Sequence, residues 1–126
     1  MTSLSNRFLL GAAAAVLVAG TAAAHHGWAW AEAEQVEISG TVDSVTIAPP
    51  HPTLRVTADD GKTWQVELGN PNQTRRAGFV EGSASPGNKV RIRGNRSRDA
   101  GELRIKAVRV TVEGKPYDIY PDRITD

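Results

Sequence analysis

The stretch Thr63–Gly94, TWQVELGNPNQTRRAGFVEGSASPGNKVRIRG, decides the fold. It opens with alternation: Trp64, Val66 and Leu68 share one face, which predicts a strand over Thr63–Leu68. Gly69 ends that strand. Asn70-Pro71-Asn72 then suits a helix start, because an asparagine oxygen can accept a free backbone N–H and proline's fixed φ fits the first turn. The helix is predicted to run to about Ala77, where Gly78 stops it. Ser83–Gly87 is turn-rich. Asn88–Gly94 alternates again, with Val90 and Ile92 facing in and Lys89, Arg91 and Arg93 facing out.

Working outward in both directions adds more strands. Val36, Ile38, Gly40, Val42, Val45 and Ile47 come near alternation, with a slip around Asp43-Ser44 that suits a bulge. Pro49-Pro50-His51-Pro52 breaks this long first strand, since proline cannot donate to a ladder. Thr53–Ala58 is the second strand, joined to the third by the turn Asp59-Asp60-Gly61-Lys62. After strand four, Asn95–Gly101 is a polar loop. Glu102–Val112 is the fifth strand, with Leu103, Ile105, Val108, Val110 and Val112 as its inward set. Glu113-Gly114-Lys115 turns the chain into a tail that Tyr117, Ile119 and Tyr120 would anchor. Three strands, one helix and two strands predict a mainly β fold: a five-stranded antiparallel OB-type barrel with a short helix between strands three and four. Barrel and tail occupy residues 36–126.

The length, 126 residues, allows one domain. There is no cysteine, which removes disulfides, thiol chemistry and cysteine-held metal clusters. Arg7, the apolar run Phe8–Gly20 and the small residues Thr21–Ala24 read as a secretory signal over residues 1–24, cleaved after Ala24; the alternative is an uncleaved anchor. Arg7 is the only charged side chain in those 24 residues. The remaining 102 residues therefore balance 14 basic against 14 acidic side chains. The expected setting is the periplasm or the exterior of a bacterial cell.

Residues 25–35, HHGWAWAEAEQ, form a leader too short to be a stable helix alone. All three histidines are His25, His26 and His51. A cleavage after Ala24 makes His25 N-terminal. Its α-amine and Nδ1 can then chelate one metal, and a second imidazole completes the T-shaped three-nitrogen set of a histidine brace, which suits Cu(II). His51, in a proline-stiffened loop, is the candidate second imidazole. His26 offers another mode, through the amine, an intervening amide and its own ring. Zinc, with Glu32 or Glu34 added, is the other metal this set admits. No methionine follows Met1, which argues against a soft Cu(I) site. Trp28 and Trp30 either stack a ligand or tack the leader to the barrel.

Charge is uneven. Residues 75–109 carry ten basic side chains against three acidic ones. Arg91, Arg93, Arg104 and Lys106 make strands four and five a candidate face for an anionic envelope partner or surface. Nucleic acid is disfavoured by export and by the zero charge of the mature chain. No nucleophile with a base and no paired carboxylates stand at a catalytic spacing, so the expectation is a binding module rather than an enzyme.

These residues resemble a family of short exported bacterial proteins of unknown function. The resemblance rests on His25-His26-Gly27-Trp28, Trp64, Gly78-Phe79 and Pro86-Gly87-Asn88-Lys89-Val90, and it spans nearly the whole mature chain. Family members tend to carry Asn-Pro-His after the first strand; here Pro49-Pro50-His51 replaces the asparagine. The resemblance implies export, the barrel, and that the His-His start and loop histidine are family features. It implies no activity.

Overall fold

A computed structural model describes residues 27–125. Strand β1 (Val36–Thr46) is long enough to serve two neighbours. Its first half, Val36–Thr41, pairs antiparallel with β4 (Lys89–Arg96), and Gly40–Thr46 pairs antiparallel with β2 (Thr53–Ala58). Gly40 lies in both ladders. A Cβ there would sit 2.2 Å from the Thr57 carbonyl oxygen, so only glycine lets the strand bend across the barrel. The predicted slip is a bulge: Val42 faces Val56, Ser44 faces Arg55, and Asp43 is the extra residue. The Asp43 carboxylate accepts a 2.6 Å hydrogen bond from the Thr57 hydroxyl.

β2 pairs with β3 (Thr63–Glu67), and β4 with β5 (Arg104–Val112), both antiparallel. Between β3 and β4 lies the helix α1, Pro71–Arg76. Asn70 caps it by accepting the Gln73 N–H at 2.8 Å, and Gly78, at φ +86°, ends it. Behind the helix, Phe79 enters the barrel edge-on to Tyr117, with ring centroids 5.2 Å apart.

The ring closes through β3 and β5, and this pair is parallel. The expectation of an all-antiparallel barrel is corrected here. In the order β3-β2-β1-β4-β5, four antiparallel steps leave the first and fifth strands pointing the same way. An odd ring cannot alternate throughout, so the closing pair is parallel. The result is a five-stranded mixed barrel of OB type; among the described residues it carries one α-helix, with a short 3-10 turn at Pro121–Arg123 in the tail. A sixth strand, β6 (Lys115–Asp118), adds to β5 where the sequence suggested only an anchored tail. Tyr117 and Ile119 are buried, as anchors should be.

The core is aliphatic with a few aromatic members. Val42, Leu54, Val56, Val66, Leu68 and Ile92 are almost fully buried in one cluster. β5 reaches it through a second bulge: Gly94 faces Ala107 and Arg93 faces Arg109, which leaves Val108 extra. Ile105 and Ala107 point in before the bulge, Val110 and Val112 after it. Val108 is fully buried but outside this cluster, unlike its predicted inward placement. Gly94 is the counterpart of Gly40: a Cβ on it would lie 2.1 Å from the Lys106 carbonyl oxygen.

Candidate functional site

The leader does not float. Ala31 bridges to Ser97, the Glu32 N–H donates to the Arg96 carbonyl at 2.8 Å, and the Arg98 N–H donates to the Trp30 carbonyl at 2.9 Å. Arg98 Nε adds a 3.0 Å bond to the Ala31 carbonyl. The Asn95 amide donates to the carbonyls of Glu32 and Ala33 at 2.9 and 3.1 Å. Backbone groups thus fix a segment too short to hold its own shape.

Side chains finish the docking. Trp30 lies under the Arg104 guanidinium, 3.7 Å from ring centroid to Cζ. Arg104 in turn hydrogen-bonds the buried Glu67 carboxylate and lies 3.6 Å from Glu102. The Glu67 hydrogen bond raises the Arg104 pKa above the usual arginine value. Trp28 meets Tyr120 edge-on at 5.0 Å, with Arg123 Cζ at 4.0 Å and Lys106 Nζ at 5.3 Å from its centroid. Both tryptophans therefore tack the leader down.

Lys106 is 4% exposed, where strand alternation predicts an outward, solvated side chain. It does lie on the outer side with Arg104, but leader and tail cover it. Burial lowers its pKa; Glu67 opposes the shift, while Arg104 and Arg123 add to it. Burial likewise raises the Tyr120 hydroxyl, against the pull of Arg123.

The other predicted cations go elsewhere. Arg91 and Arg93 both approach Glu37, at 3.5 and 3.7 Å. They face Thr111 and Arg109, beyond the bulge from Lys106. Arg109 pairs with Asp118 at 2.6 Å. The structure does not gather Arg91, Arg93, Arg104 and Lys106 into one exposed basic face.

His25 and His26, like the predicted signal over residues 1–24, lie outside the described residues. His51 is exposed on the loop between β1 and β2. Glu32 and Glu34 are exposed on the leader. Among the described residues no three metal-ligating side chains converge.

A continuous line of contacts joins the leader to the His51 loop. Trp28 touches Tyr120; the neighbouring Ile119 carbonyl accepts a 2.8 Å bond from the Gln73 amide. Gln73 packs so closely on Gly69 that a Cβ there would lie 2.8 Å from Cγ. The Leu68 N–H, next in line, donates to the Pro52 carbonyl at 3.0 Å, beside His51. These contacts link Trp28 to the tail, the tail to the helix, and β3 to the loop that carries His51. Glu67 and Arg123 escaped the sequence reading, since each is one charged residue among many and carries no spacing signal.

These features define a class: a small, cysteine-free, OB-type barrel with a strapped N-terminal leader. The chain belongs to the family of unknown function DUF6152, whose model matches residues 14–105. It is similar in fold to a chain of the S. pombe Stn1–Ten1 complex at 21% identity and a TM-score of 0.48. That match covers 62% of this chain and spans 57% of the other. Among curated proteins, none matches the sequence.

Proposed function

We propose that this chain is an exported periplasmic binding module that holds Cu(II) through the α-amine and imidazole of His25, with His51 as the second imidazole. His26 is the auxiliary or alternative ligand. One observation supports the reading: the leader is docked on the barrel at Trp28, three residues after His25 in the chain. Nitrogen donors of this kind suit Cu(II), and a docked leader lowers the entropy cost of bringing terminus and loop together. The role is metal binding or handover rather than catalysis.

The other reading, an envelope adaptor using Arg91, Arg93, Arg104 and Lys106, has less support. Three of these cations have acidic partners within the fold, and the fourth is buried. Arg91 and Arg93 share the one Glu37 carboxylate and stand apart from the Arg104–Glu67 pair, so the four cations do not act as one patch.

The test is a Cu(II) titration followed by EPR on chain starting at His25, beside a copy with one added N-terminal alanine and a His51→Ala variant. The reading expects tight one-to-one binding that both changes abolish. Binding indifferent to His51→Ala reduces the site to a local N-terminal chelate. Salt-sensitive capture of anionic vesicles, without tight copper binding, favours the adaptor instead.

A further inference from the structure

A cleft of about 420 Å³ lies between helix α1 and the C-terminal tail. Gln73 and Arg76 line it from the helix; Tyr120, Asp122 and Arg123 line it from the tail. Its volume falls within the roughly 300–1,000 Å³ of small-molecule sites. The two walls are tied together, because the Gln73 amide donates to the Ile119 carbonyl at 2.8 Å. The tail wall has further ties. The Tyr120 N–H donates to the Val108 carbonyl at 3.1 Å, and the Gln35 amide donates to the Arg123 carbonyl at 2.5 Å. The Trp28 ring, its centroid 4.0 Å from Arg123 Cζ, holds that cation without supplying a counter-charge. Charge at the cleft is unbalanced. Among the described residues no ion pair includes Arg76 or Arg123, although Asp122 lines the same cleft. Lys106 Nζ stands 5.7 Å from the Tyr120 ring centroid; the residue is 4% exposed and is likewise in no ion pair. The nearby Glu67 carboxylate is taken by Arg104. The charge of Arg123 reaches Lys106 and adds to the lowering of its pKa by burial. A buried ammonium without a counter-ion costs stability, and an anion bound nearby offsets that cost.

We propose that this cleft binds a phosphate group, held by the guanidiniums of Arg76 and Arg123. Guanidinium suits phosphate because its planar fork can give two parallel N–H···O bonds. The two arginines come from different walls, so they can serve different oxygens of a tetrahedral group. A phosphate ester carries about −1.5 to −2 charge at neutral pH. That matches three cations set against one exposed carboxylate better than a singly charged ligand does. Lys106 acts through its charge rather than by contact. The volume beside the arginines admits the organic part of an ester. A soluble phosphate ester and a lipid headgroup present this same chemistry. None of the cleft residues is a ligand in the copper reading, so the two stand independently. Asp122 repels the ligand and gives the proposal a change of opposite sign to test.

The experiment follows the amide NMR signals of ¹⁵N-labelled mature chain during titration with phenyl phosphate and with inorganic phosphate. A parallel arm measures cosedimentation with phosphatidylglycerol vesicles. The variants are Arg76→Ala, Arg123→Ala, Asp122→Asn and, outside the cleft, Arg91→Ala. Arg76→Ala is the primary one, since it leaves the contact between Arg123 and Trp28 in place. The expected result is saturable shifts at Arg76, Tyr120, Asp122 and Arg123. Arg76→Ala and Arg123→Ala should each weaken binding at least ~10-fold. Asp122→Asn should tighten it by about 2–3-fold, and Arg91→Ala should leave it unchanged. Vesicle binding that needs Arg76, with little response to phenyl phosphate, assigns a lipid headgroup; saturable phenyl phosphate binding without vesicle binding assigns a soluble ester. Shifts that do not saturate, or equal losses in Arg91→Ala and Arg76→Ala, reduce the effect to net charge and overturn the proposal. No binding in either arm overturns it as well.

Discussion

Lys106 shows how one residue can defeat alternation. It occupies an outward position on β5, yet leader and tail close over it until 4% of its surface remains. Its ammonium lies 5.3 and 5.7 Å from the ring centroids of the Trp28–Tyr120 pair, and Glu67 is already engaged by Arg104. Because burial lowers its pKa, the folded chain holds this proton less tightly than the unfolded one. Its charge therefore costs stability below the lowered value. That cost is relieved as pH rises from there toward the ordinary lysine value. Lys106→Met should stabilise the fold by about 1 kcal/mol at neutral pH, keeping contact with both rings through a thioether. It should also remove the alkaline gain. Urea unfolding at neutral and alkaline pH checks both; a variant less stable than wild type at neutral pH would show that the ammonium–ring contacts outweigh desolvation. Tyr120 works in the opposite sense at high pH. Its raised pKa gives stability that is present below the ordinary tyrosine value and lost as pH climbs through the raised one.

The elements were legible to different degrees, for reasons that can be named. The helix was readable because Asn70, Pro71 and Gly78 each have a local job that few residue types can do. The bulge at Asp43 was readable because the apolar alternation changes phase there. The bulge at Val108 was not, since Ala107-Val108 are both apolar and either could face inward. The docking of the leader was legible only in its tryptophans: the backbone carbonyls of Trp30, Ala31, Glu32 and Ala33 that also hold it have no sequence signature. Two glycines differ sharply in the room they leave for a Cβ. Gly94→Ala should cost about 3 kcal/mol or more, because its Cβ would meet the Lys106 backbone at 2.1 Å. Gly101→Ala, whose Cβ would stand 3.4 Å from the Asp99 carboxylate, should stay within about 0.5 kcal/mol of wild type. Equal midpoints for the two in guanidinium unfolding would refute the close-approach argument.

The whole molecule is a ring of strands held without a disulfide, and among the described residues the leader and the tail meet on it. Strand order was legible from Thr63–Gly94. The parallel β3–β5 closure is a property of the ring, visible only once five strands are counted around it. The tail's conversion into β6 likewise depends on space beside β5 that β3 leaves open after Lys106. The tryptophans were legible as tacks for the leader, and Tyr120 as a tail anchor, while its contact with Trp28 and the part played by Arg123 were not. The adaptor face was predicted from residues near in sequence, and the β4–β5 bulge and the leader separate them. The proposed function stands or falls on whether His25 and His51 share one ion. The most direct measurement counts imidazoles on Cu(II) bound to mature chain, by pulsed EPR with ¹⁵N-histidine labelling, in wild type and His51→Ala. The account predicts two coupled imidazoles in wild type and one in the variant. A single imidazole in both would contradict it and leave only a local chelate at the N-terminus.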